Sequence, residues 1–62
     1  MGQAKTLQQG MDLKDAVRIK SAEFWLKLGE PGRALLELQR LPMRAWNHPW
    51  TKLVRRAVYR AF

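Results

Sequence analysis

The apolar positions along this chain fall into three groups, separated by glycine and proline, and each group repeats with the spacing of a helix. In the first, from about residue 12 to residue 28, Leu13, Val17, Phe24 and Leu28 recur on one side of an α-helix, and Ala22 and Trp25 widen that side. Ile19 and Leu26, seven apart, fall on another side. Asp12 stands where a carboxylate accepts the unpaired N–H groups of a first turn, and Asp15 suits the positive end of the helix dipole. Gly29 supplies the left-handed conformation that closes such a helix. In the second group, over about 31–41, Ala34, Leu35, Leu38 and Leu41 make the stripe, and Arg33, Glu37 and Arg40 face water. Pro31 is tolerated in a first turn, and Pro42 ends the helix because the residue before a proline disfavours helical backbone. The third group, over about 49–61, has the clearest pattern. Trp50, Leu53, Val54, Ala57, Val58, Ala61 and Phe62 follow i, i+3, i+4, i+7, i+8, i+11 and i+12. Asn47 or His48 caps it, Pro49 occupies its first turn, and Lys52, Arg55, Arg56 and Arg60 take the other faces. No segment alternates with period two and none carries a hairpin turn, so strands are not expected. The pattern predicts an all-α fold, an antiparallel helical hairpin with a third helix packed on it. Residues 1–10 are polar and aperiodic and are expected to form a flexible tail, which leaves 11–62 as a single domain.

Composition narrows the picture. A chain of 62 residues holds one domain, and one of that size buries only about 60% of the surface it exposes when unfolded. Cysteine is absent, so neither disulfides nor thiolate metal sites supplement the core. No apolar run approaches the roughly 20 residues of a membrane span, and the first ten residues lack the apolar stretch of a signal peptide. The protein is accordingly expected to be soluble and cytoplasmic. The net charge is +7, and its distribution is uneven. Asp12, Asp15, Glu23, Glu30 and Glu37 all precede residue 38, whereas Arg40, Arg44, Lys52, Arg55, Arg56 and Arg60 follow it with no acidic residue among them. Such a cationic third favours an anionic partner, although it also serves a small protein as a solvated surface.

The stretch from Ser21 to Leu38, SAEFWLKLGEPGRALLEL, resembles a tetratricopeptide repeat. That family places a small residue in each of two helices where they touch, an aromatic three residues after the first, and a glycine five residues before the second; here these are Ala22, Ala34, Trp25 and Gly29. The resemblance covers about residues 15–42, with the third helix resembling the start of a following repeat, so the chain is similar to short bacterial proteins with about one and a half repeats. It implies a helical scaffold that binds peptides or proteins, and no chemistry.

Residues for catalysis or metal binding are sparse. His48 is the single histidine, placed in a turn, and no cysteine or second histidine joins it in a metal site. Ser21 lies inside a helix without a nearby base, and Asp12 with Asp15 is explained by charge at a helix start. No phosphate-binding glycine loop or nucleophile elbow is present. An enzyme is therefore not expected, and neither is a cofactor. Of the three tryptophans, Trp25 and Trp50 belong on apolar helix faces, and Trp46, between helices, is the candidate interface aromatic.

The expected function is a non-enzymatic interaction module that binds a peptide or protein partner, or weakly dimerises, through apolar helix faces. Ile19 and Leu26 would contribute on the concave side, Trp46 from the linker, and Val58 and Phe62 from the uncovered part of the third helix. The alternative is electrostatic binding of an anionic partner such as nucleic acid by Arg44, Lys52, Arg55, Arg56 and Arg60. A salt titration separates the two, because polyanion binding weakens steeply with salt.

Overall fold

The protein, seen in a computed structural model that describes residues 10–62, is all-helical, with no strand among the described residues. The tail expected over 1–10 lies, Gly10 apart, outside them. Helix α1 spans Leu13–Lys27, α2 Pro31–Gln39, α3 Met43–Trp46 and α4 Pro49–Arg60.

The reversal between α1 and α2 takes three residues. Gly29 adopts φ +76°, its N–H donates to the Leu26 carbonyl, and the Glu30 N–H donates to the Trp25 carbonyl at 2.9 Å. This pair of bonds is the Schellman closure, in which a left-handed residue satisfies carbonyls that the helix leaves unpaired. Pro31 then opens α2, and α2 returns alongside α1, with Arg18 reaching Glu37 at 3.0 Å. The second helix ends at Gln39 rather than 41, yet Leu41 remains in the core through a tightened last turn, its N–H donating to the Leu38 carbonyl.

The core consists of Ala16, Ile19, Ala22, Ala34, Leu38, Leu41, Ala45, Trp50, Val54 and Val58. Ala22 and Ala34, the expected small residues of the α1–α2 contact, are both fully buried. The assignment of the α1 face is reversed, however. Leu13, Val17, Phe24 and Leu28 are exposed, Leu13 at 80% of its surface, while Ile19 is fully buried and Leu26 packs against the core. Ile19, Ala22 and Leu26 follow i, i+3, i+7, which is a seam in its own right. Ala22, with Ala16 buried on the same side, lets α2 and α4 come close, an approach the bulkier stripe of Leu13 and Phe24 would prevent.

Between Leu41 and Pro49 the chain forms the one-turn helix α3 instead of a plain linker. Ala45 buries its methyl, and the Thr51 hydroxyl donates to the Ala45 carbonyl, tying α3 to α4 within the core. Four residues are too few to show periodicity, which is why this turn is invisible in the apolar pattern. His48 caps α4, its Nδ1 accepting from the Trp50 N–H at 3.1 Å. The Asn47 amide instead donates to the Met43 carbonyl. Asp12 occupies the N-cap position of α1 without capping it. Its carboxylate accepts from Arg44 at 2.8 Å instead.

Candidate interaction surface

Helix α4 divides into a buried side and a cationic side. Trp50, Thr51, Val54 and Val58 turn inward, where α4 packs on α2 and α1. Val58, expected to stay accessible on an association surface, is fully buried. Two helices suffice to cover its half of the stripe, because the alanines of α1 and α2 let α4 settle deeply. Phe62, beyond the last turn, is 73% exposed. Ile19, expected on a concave binding side, is likewise sealed in the core, and Leu26 is half-buried. Ile19 and Val58 are therefore interior and leave the candidate site, whereas Leu26 packs against the core with part of its surface still open.

The other side of α4 presents Lys52, Arg55, Arg56, Tyr59 and Arg60 around a shallow cleft of about 440 Å³. Tyr59 also lines a neighbouring apolar groove of about 410 Å³, with Gln39, Leu41, Met43 and Trp46. The two depressions thus share a wall. The Arg55 guanidinium lies 4.5 Å from the centre of the Trp46 ring, an attractive stacking of cation on aromatic face. It also donates to the Trp46 carbonyl at 3.3 Å. Trp46 and Arg55, candidates for two different kinds of partner in the sequence, are here one unit. Met43 and Tyr59, both exposed, were missed; the trace of Met43 in the sequence is its place after Pro42 near Trp46, and that of Tyr59 its spacing of four and three residues from Arg55 and Arg56.

Arg44 does not join this surface. It pairs with Asp12, and the hydrogen bond to Asp12, reinforced by that carboxylate's charge, raises its pKa above the ordinary value. It faces depressions lined by Asp15, Lys14 and Arg18, apart from the α4 cleft. Glu37, expected to face water, is half-buried and holds both Arg18 and the Trp25 indole N–H, the latter at 3.4 Å. Trp50 is buried and donates to Glu23 at 3.0 Å. Trp25 is half-buried, with Arg33 stacked 4.9 Å from its ring centre.

Among the described residues, no cluster of three or more histidine, cysteine or carboxylate side chains is placed to hold a metal ion. Nor is any helix among them long and apolar enough to cross a membrane. No protein-family model, curated protein or solved structure matches the chain.

Proposed function

We propose that this chain is a non-enzymatic, tetratricopeptide-like interaction module that captures an acidic, partly apolar protein segment on its α3–α4 face. The observation that carries the reading is the Arg55–Trp46 stack, which joins a cationic cleft to an apolar groove across Tyr59. Arginine and aromatic side chains are the residue types that dominate interface energetics. A segment with carboxylates on one edge and leucine or phenylalanine on the other would pair both halves of the face at once. The repeat-like reading is supported by the buried Ala22 and Ala34 at the α1–α2 contact and by the Gly29 reversal.

The test is a titration of isotope-labelled protein with synthetic acidic peptides that carry leucine and phenylalanine at helical spacing. Resonances of Met43, Trp46, Arg55 and Tyr59 should move together. Reversing two charges, Arg55→Glu with Arg56→Glu, should weaken binding at least about tenfold, a change of about 1.4 kcal/mol. Peptides that leave Trp46 and Tyr59 unmoved, or bind the reversed variant equally well, would defeat the reading.

A second reading, contact with a nucleic-acid strand, is favoured by one observation, the lack of any carboxylate after Glu37. Phosphates would meet Lys52, Arg55, Arg56 and Arg60, and bases would stack on Trp46 and Tyr59. Short oligothymidine that displaces the peptides, with affinity falling steeply as salt rises, would select this reading over the first.

A further inference from the structure

The outer face of α1 carries an apolar stripe that the fold does not use. Leu13, Val17, Phe24 and Leu28 are all more than half exposed. At 3.6 residues per turn they fall within an arc of about 60°. The stripe runs the length of α1, over about 22 Å at the rise of an α-helix. Its borders are cationic on both sides. Lys20 and Lys27 lie along one edge and Lys14 along the other, all three exposed. The acidic residues of this helix, Asp15 and Glu23, project from the opposite half, where Asp15 is buried and Glu23 binds the Trp50 indole.

We propose that this face lies on an anionic lipid bilayer, with α1 parallel to the surface. An apolar stripe bordered by lysines is what an interfacial helix requires. The four apolar side chains enter the boundary between headgroups and acyl chains. Lysines flanking them reach back to lipid phosphates through their flexible stems. The rest of the chain helps, since a net charge of +7 draws the whole molecule to a negative surface. A second copy is a poor occupant of the same face, because it would bring Lys14, Lys20 and Lys27 against their equivalents with no carboxylate between them. An ordinary apolar protein groove would likewise leave the lysines unanswered. The helix lies on the membrane without crossing it, being too short and too polar to span one.

Co-sedimentation of the full chain with vesicles tests this directly. Mixed phosphatidylcholine–phosphatidylglycerol vesicles should carry the protein down, and pure phosphatidylcholine vesicles should carry far less. Val17→Ser with Leu28→Ser alters two exposed positions, so circular dichroism should keep the parent helix content. This variant should bind the mixed vesicles at least about tenfold less well, given the apolar area withdrawn from the bilayer. Three results would overturn the proposal. One is a parent chain that ignores the anionic vesicles. Another is a serine variant that binds like the parent while Arg55→Glu with Arg56→Glu abolishes binding, which would put the lipid on α4. The third is a dimer by light scattering that the serine variant dissolves, which would make a second copy the occupant. The first and third outcomes leave peptide binding at Trp46 untouched; the second would place lipid on the peptide face itself, and competition between peptide and vesicles would then show it.

Discussion

Helix α4 carries apolar side chains on its buried side and cations opposite, whereas α1 carries apolar side chains on two opposite sides and buries only one. In α4 the choice of face is made by charge: Lys52, Arg56 and Arg60 cannot enter the core, so Trp50, Val54 and Val58 do. In α1 charge decides less, and the choice is made by size. Ala16 and Ala22 accompany Ile19 inward because neighbouring helices can approach an alanine more closely than a leucine or phenylalanine. Close approach multiplies dispersion contacts over the whole interface, which outweighs the larger transfer energy of any single side chain left outside. The difference also separates the two candidate surfaces. In α4 the Arg55 guanidinium is stacked on the Trp46 ring, whereas Lys14, Lys20 and Lys27 of α1 border an exposed stripe of three aliphatic side chains and Phe24.

The sharpest way to break this comparison is to shorten one side chain on each face of α1. Ile19→Ala should cost roughly 2–5 kcal/mol, the range for truncating a sealed core residue. Val17→Ala, two residues away on the outer face, should stay within about 0.5 kcal/mol. Urea unfolding followed by circular dichroism measures both; equal losses would mean that the seam through Ile19 is misplaced. For a chain of this size the first change should leave much of the population unfolded at room temperature.

A smaller effect is expected where the comparison rests on alanine. Ala34→Leu inserts a branched side chain into the fully buried α1–α2 contact and should cost roughly 1–3 kcal/mol by overpacking. A parent-like melting curve would show that this contact tolerates bulk, and size would lose its role in choosing the α1 face.

How far the fold could be read from the chain follows from the same contrast. Three helices, the Gly29 reversal and the paired alanines were legible because periodicity, glycine and proline are local signals. The face of α1 was not, because Leu13-Val17-Phe24-Leu28 and Ile19-Ala22-Leu26 are both valid stripes, and only a neighbouring helix selects between them. In the third group seven apolar positions were legible, but Leu53, Ala57, Ala61 and Phe62 remain outside, and Thr51 takes a core position that an apolar pattern does not count. Of the candidate site, Lys52, Arg55, Arg56 and Arg60 were legible as one cationic face. The departure of Arg44 was not, since its partner Asp12 lies 32 residues away. The meeting of Arg55 with Trp46 depends on α3, which is too short to announce itself.

The least disruptive change sharpens the α4 side of the comparison. Thr51→Val keeps the shape of a fully buried side chain and removes its hydroxyl. The Ala45 carbonyl that loses this donor still accepts from the His48 N–H at 3.1 Å, so no acceptor is stranded. The cost should be about 1 kcal/mol, the ordinary net value of one hydrogen bond. A loss several times larger would show that α3 is held to α4 chiefly by this one bond.

The three-residue turn at Gly29 has a consequence for the order of folding. Closing so short a connection costs little chain entropy, and the α1–α2 contacts that follow are local in sequence. Helix α4 contacts α1 across a much longer stretch, as Glu23 and Trp50 do over 27 residues. Local pairings form before distant ones. The α1–α2 pair should therefore be largely assembled at the rate-limiting step, with α4 docking afterwards. Changes at Ala34 then slow folding, while changes at Val58 mainly hasten unfolding. The helix that bears the cationic face is thus the last to arrive and the first to leave.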